Sequence, residues 1–326
     1  MARDAIATCF GQHDACPHFH ETQLPTRLLD VGSEARHPKL FVTNGETGKY
    51  IALSHCWGKG KPLRLMKASF ESFRNKILLA DLPALFRDAV LLTRQLGVSY
   101  LWIDSLCIVQ DDPSDWERES ALMCNLYANA YVTIALSSLL GIPDTDYDAR
   151  PLDYTQEERF VGCTAPWENS FLISRGWVLQ ERLISQRTLH YTEAGLIWEC
   201  ATAMFCECLG PVSQEPFERS WKEEEPKGLE GSLELWAHLV QWYTGLALTY
   251  ESDRLIALAG LAARFEKQTD SRYICGVWLD RSLFHLANQW DTKMAKWCPP
   301  GAVERNTETC TSPSWSWASI SGVVRL

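Results

Sequence analysis

The run Tyr50 to Cys56, YIALSHC, is apolar almost throughout and has the length of a buried strand. It ends at Trp57-Gly58, where a Lys/Gly loop turns the chain. From Asp81 the period becomes helical. Asp81-Leu82-Pro83 supplies a polar cap and a first-turn proline, Leu85, Phe86, Ala89, Val90 and Thr93 share a face, and Gly97 closes the helix. The segment VSYLWIDSLCIV then predicts a central strand. Asp111-Asp112-Pro113 breaks it and opens a second helix to about Asn129, with Asp115 in the first turn, where the helix dipole favours an acid. AYVTIALSS (130–138) predicts a third strand. Strand, helix, strand, helix, strand at this spacing predicts an α/β fold: a parallel sheet with right-handed crossovers.

Either side the pattern is less regular. Residues 1–49 read as a leader packed on the core, in which LPTRLLDV (24–31) alternates like an edge strand. Residues 141–169 are rich in Pro, Asp and Gly and predict a loop. SRGWVLQERLIS (174–185) returns to helix, and RTLHYT with GLIWECA, around Glu193-Ala194-Gly195, predicts a hairpin. The charged stretch 218–231 reads as a solvated linker. LELWAHLVQWYTGLAL and SDRLIALAGLAARF predict two further helices, 273–278 a strand and 281–290 a helix. The division is therefore a leader (1–49), an α/β core (50–210) and a mainly helical C-terminal subdomain with a short strand (211–326).

Composition narrows the function classes. Hydrophobic residues make up 46% and charged residues 22%, which excludes wholesale disorder. The net charge is −10 with no basic run, so the dense Lys/Arg footprint of a nucleic-acid binder is missing. The N-terminal residues lack an apolar signal core, and no apolar stretch reaches the roughly 18 residues of a membrane span. A cytoplasmic protein without membrane or nucleic-acid partners is expected. In that compartment the 12 cysteines read as thiols, and most of the 14 tryptophans read as core packing.

Three blocks taken together resemble one family: YIALSHCWG (50–58), LPALFRDAVLLTRQLGVSYLWIDSLCIVQDDPSDWERESALMCNLYANA (82–130) and SRGWVLQERLIS (174–185). They are similar to the HET (heterokaryon incompatibility) domain of filamentous fungi, and LPTRLLDV, SDRLIALAGLA and PSWSWAS match what usually flanks it. The resemblance implies non-self recognition and programmed cell death. It also implies a distant likeness to TIR domains, hence a TIR-like or flavodoxin-like core with an added α+β C-terminal region. Some TIR domains cleave NAD through one glutamate, so NAD enters as an implied substrate, with no other cofactor required.

In an open parallel sheet, ligands bind beyond the carboxyl ends of the strands. Those ends supply Ser54, His55, Cys56, Trp57 and Gly58, then Asp104 and Ser105, then Ser137 and Ser138. Glu119 is the sharpest catalytic candidate. It lies on the helix after Asp104, with Met123 and Tyr127 on the same face, so it enters a pocket or pairs with a base, unless it is a helix-surface acid in an i, i−4 or i, i+4 network. A pocket carboxylate would stabilise an oxocarbenium-like ribosyl centre. His55 with Asp104 reads as a base and its orienter. As a nucleophile Cys56 would need a distant base such as His190, because it and His55 point to opposite faces, and a buried inert thiol is the preferred reading.

Arg175, Gln180, Glu181 and Arg182 form a third group. The two arginines, seven residues apart, suit a carboxylate or phosphate clamp, or ion pairs with Asp104 and Glu119. Cys9, His13 and Cys16, with His18 or His20, have the residue types of a zinc site but no standard finger spacing, and a helical stripe with an incidental histidine is preferred, so no metal is assigned. Cys200, Cys206 and Cys208 form a weaker cluster. Two other functions stand beside nucleotide cleavage: a non-catalytic module that signals by self-association, and a stand-alone enzyme using acid/base chemistry on a small natural product.

Overall fold

The computed structural model describes residues 2–57, 63–136, 172–192, 195–207, 210–212, 228–279, 304–305 and 316–321. The loop 141–169, the Lys/Gly loop, the helix expected at 281–290, and Gly58, Ser137, Ser138 and Cys208 lie outside them. The strands are β1 (Thr22–Gln23), β2 (Arg27–Asp30), β3 (Lys39–Val42), β4 (Thr47–Gly48), β5 (Tyr50–Ser54), β6 (Tyr100–Trp102), β7 (Val132–Leu136), β8 (Arg187–Thr192), β9 (Gly195–Cys200), β10 (Met204–Cys206) and β11 (Gly210–Val212). β1 and β4 pair with each other. The others form one nine-stranded sheet in the order β11-β10-β9-β8-β7-β5-β6-β2-β3.

The middle of this sheet is parallel: β5 pairs with β6 on one side and β7 on the other, and β7 pairs with β8. Both flanks are antiparallel. The leader therefore supplies sheet strands, and β2 is covered by β3 rather than lying at the edge. Helices α1 (Ala2–Gln12), α2 (Phe70–Asn75), α3 (Ala84–Gln95), α4 (Asp104–Cys107), α5 (Pro113–Asn129) and α6 (Gly176–Ile184) accompany it.

Alternation along the strands gives the sheet two unlike faces. Ile51, Leu53, Leu101, Ile103, Val132, Ile134 and Leu189 are each 1% exposed or less and pack with Phe86 and Val90 of α3. At about 1.5–3 kcal/mol per buried aliphatic side chain, this face drives association of sheet and helix. The opposite face carries Ala52, Ser54, Trp102 and Thr133 in register, and Tyr127 of α5 meets Trp102 edge-on at 5.8 Å. The two crossover helices thus lie on opposite faces, as right-handed connections to strands on opposite sides of β5 require.

The strand expected from Val98 to Val109 stops at Trp102. Ile103 to Cys107 instead makes one helical turn, in which the Ser105 amide donates to the Asp104 carboxylate at 2.6 Å and the Cys107 amide to the Ile103 carbonyl at 2.8 Å. These local bonds satisfy the backbone without a strand partner, while Ile103, Leu106, Cys107 and Ile108 stay buried. α5 starts as expected, with Pro113 in its first turn and the Asp112 side chain accepting from the Ser114 amide at 3.2 Å.

The chain divides into two compact units, Met1–Ile173 with Glu181–Glu223, and Ser174–Gln180 with Glu224–Leu326. The second contains α7 (Gly228–Thr244) and α8 (Ile256–Thr269). Its core is aromatic: the Trp236 ring lies 5.1 Å from Trp278, 5.2 Å from Tyr273 and 5.5 Å from Phe265. The strand expected at 273–278 is a tight hairpin of β12 (Tyr273–Ile274) and β13 (Val277–Trp278). Cys275 and Gly276 turn it, both at positive φ (45° and 97°), the dihedrals a two-residue hairpin turn demands. Among the described residues, no helix is long and apolar enough to cross a membrane.

Candidate functional site

Strand order reverses at β5, whose chain successors β6 and β7 lie on opposite sides of it; such a switch point leaves a crevice at the strand ends. β5 delivers Ser54, His55, Cys56 and Trp57 there, and the turn after β6 delivers Asp104. The Trp57 indole Nε1 donates to Asp104 Oδ2 at 2.5 Å, and the Ser105 amide holds Oδ1 at 2.6 Å. His55 Nδ1 stands 3.7 Å from Oδ1, an ion-pair rather than a hydrogen-bond distance. The imidazole is buried edge-on against Phe86 at 5.1 Å, whereas 26% of the Asp104 side chain stays open. Trp57 and Cys56 are half-buried. The result is a carboxylate fixed by two donors, an imidazole behind it and an indole beside it.

Of the remaining rim residues, Ser54 and Ser105 are buried, at 2% and 0% exposed, and among the described residues their hydroxyls have no hydrogen-bond partner. Cys107 is buried as well, and burial pushes its thiol up to about 12.

Glu119 is not gathered with His55 and Asp104; it has found a base. Arg27 of β2 reaches Asp115 at 2.6 Å and Glu119 at 3.3 Å through Nη2, and Arg118 Nε lies 3.4 Å from Glu119. Arg27 Nε also donates to the Cys107 carbonyl at 2.6 Å, and the Val109 amide donates to Asp115 at 2.8 Å. Burial holds the Glu119 carboxyl above its usual range, with Arg27 pulling the other way and Asp115 adding to the rise. Arg27 escaped the sequence reading; the one hint was a cation inside the otherwise alternating LPTRLLDV.

The third group separates. Arg175 lies before α6 and donates to Thr249 Oγ1 at 3.2 Å, and Gln180 Oε1 accepts from the Gly260 amide at 3.0 Å, both within the second unit. Arg182 belongs to the first unit and pairs with Glu199 at 3.0 Å rather than with Asp104 or Glu119. Glu199 also meets His190 Nε2 at 2.6 Å. Glu181 is buried and stands by the hydroxyl of Tyr127, which itself donates to the Leu53 carbonyl at 3.1 Å. Burial first, and the Glu181 charge second, push Tyr127 well above the ordinary tyrosine value. Tyr127 was legible only as a core-facing aromatic, although a buried phenol needs a partner for its hydroxyl.

The N-terminal Cys/His group differs most from expectation. α1 ends at Gln12, so Cys9 alone is helical, while His13 and Cys16 sit in the following turn, closed by the Cys16 amide donating to the His13 carbonyl at 3.1 Å. Cys200 at the end of β9 joins them instead of His18 or His20. Cys206 packs elsewhere, with Ile197 and Met204.

Residues 50–181 match the model of a family described as heterokaryon incompatibility protein (HET). No curated protein and no solved structure matches the chain.

Proposed function

Since residues 50–181 of this chain are a HET domain, we propose that the protein acts in fungal heterokaryon incompatibility and does so by cleaving a nucleotide of the NAD type at the ends of β5 and β6. One observation carries the reading. Asp104 is a carboxylate at the strand switch point with an open face, 26% against 5% for Glu119 and 1% for Glu199. The catalytic role therefore passes from Glu119 to Asp104. Ionised Asp104 stabilises positive charge at the ribosyl carbon as the bond to nicotinamide nitrogen breaks. Water adds to that carbon and its proton passes to His55 and then to solvent, giving nicotinamide and ADP-ribose. Trp57 offers a flat face for a base or the nicotinamide ring while its Nε1 holds Asp104 in place.

The test incubates the full chain with NAD at low and high protein concentration and follows nicotinamide release. Asp104→Asn, with an unchanged circular dichroism spectrum, is expected to lose release by about 100-fold or more. Glu119→Gln is expected to retain most of it. No release by the folded wild type at either concentration, or full activity of Asp104→Asn, would sink the proposal.

A further inference from the structure

Cys9, His13, Cys16 and Cys200 bring four ligand atoms within 4.8 Å of one another, and Cys200 is 187 residues from even His13 along the chain. Cys200 Sγ lies 3.4 Å and Cys16 Sγ 3.8 Å from His13 Nδ1. Around a tetrahedral zinc ion, with Zn–S near 2.3 Å and Zn–N near 2.0–2.1 Å, ligand atoms stand roughly 3.6–3.8 Å apart. A contraction of about 1 Å in the widest pair would therefore give coordination distances.

We propose that these four side chains form a closed Cys3His zinc site that fastens the N-terminal segment to the end of β9. Burial agrees with a structural rather than a catalytic site. Cys9 and Cys200 are fully buried and Cys16 is 4% exposed, while half-buried His13 leaves an entry side. Four protein ligands also leave no coordination position for substrate. An outer partner is in place: Thr202 Oγ1 lies 3.3 Å from Cys16 Sγ, positioned to donate to a thiolate. One disulfide would consume two of the thiols and strand the third beside the imidazole, whereas one divalent cation satisfies all four groups. Zinc binding releases the thiol protons and adds no redox step. The attachment continues beyond the cluster, since Arg187 of β8 donates to the Pro17 carbonyl and lies over the Phe10 ring at 4.0 Å. The site is independent of the nucleotide reading.

The experiment measures zinc by mass spectrometry in the full chain, purified in reductant without chelator or immobilised metal. About one ion per chain is expected. The metal is then stripped and replaced with Co(II), whose thiolate charge-transfer absorption and intense visible bands report tetrahedral sulfur ligation. Cys200→Ser is expected to lose most of the charge-transfer absorption. His13→Ala, at the half-buried position, is expected to keep the fold while weakening metal retention by at least about 10-fold. A folded wild type that contains no zinc and binds no Co(II) after reduction would overturn the site, as would a native intact mass showing a disulfide among these cysteines. An unchanged Co(II) spectrum in folded Cys200→Ser would overturn the ligand set.

Discussion

Replacing Arg27 with Met removes the cation from a closed acidic cluster and keeps roughly the same apolar volume. The guanidinium loses three partners: the Cys107 carbonyl, Asp115 and Glu119. Both acids are about 5% exposed, so water cannot replace the lost charge. Breaking a buried pair from one side costs about 3–5 kcal/mol, and an orphaned carbonyl about 1 more. Arg118 remains beside both acids but is 54% exposed, so screening limits what it restores. A loss of about 3–4 kcal/mol is expected at neutral pH. The sign with pH follows from Glu119, whose carboxyl burial already raises and Arg27 partly restrains. Without Arg27 it rises further, so the folded variant binds a proton more tightly than the unfolded chain. Its deficit should therefore shrink as pH falls from 7 towards the ordinary carboxylate value near about 4.3. Urea unfolding followed by tryptophan fluorescence at pH 7.5 and pH 5 measures both effects. A loss below about 1 kcal/mol, or one equal at the two pH values, would refute the account of this cluster.

Two further substitutions probe backbone and core. Gly32 has φ +67°, and a Cβ there would stand 2.1 Å from the Arg36 carbonyl oxygen and 2.8 Å from that of His37; Gly32→Ala should cost about 2 kcal/mol or more in thermal or urea unfolding, and a neutral result would contradict the turn. Tyr127→Phe deprives the Leu53 carbonyl of its side-chain donor and Glu181 of its neighbour, so a loss of about 1–3 kcal/mol is expected; an equal or higher urea midpoint would show the hydroxyl to be unimportant.

Local period was enough to read β5, α3, α5 and the β8–β9 hairpin, because each buries one repeating face and is bounded by Pro, Gly or Asp. It failed between Ile103 and Val109, where an unbroken apolar run reads as strand although one buried turn satisfies the same burial. His55, Trp57 and Asp104 were placed at one rim because the strand-end rule acts on topology alone. Glu119 was correctly put on a core-directed face, but its base lies in β2, and nothing in the spacing of residues 27 and 119 announces that contact. The same limit hid Cys200 from Cys9. A helical wheel drawn through residues 9–16 also assumed a helix that stops at Gln12.

The pairing of β6 with β2 and of β7 with β8 bears on where this domain begins and ends as a physical object. The stretch recognised by homology, 50–181, contains β5, β6 and β7 but neither of the strands that close their outer margins. Cut out by itself, it would present two bare rows of amides and carbonyls, the usual seed for edge-to-edge aggregation. Arg27, which neutralises the acids of α5, would be missing as well. A soluble fragment built around that stretch is therefore expected to need the chain back to β3 and forward through at least β9.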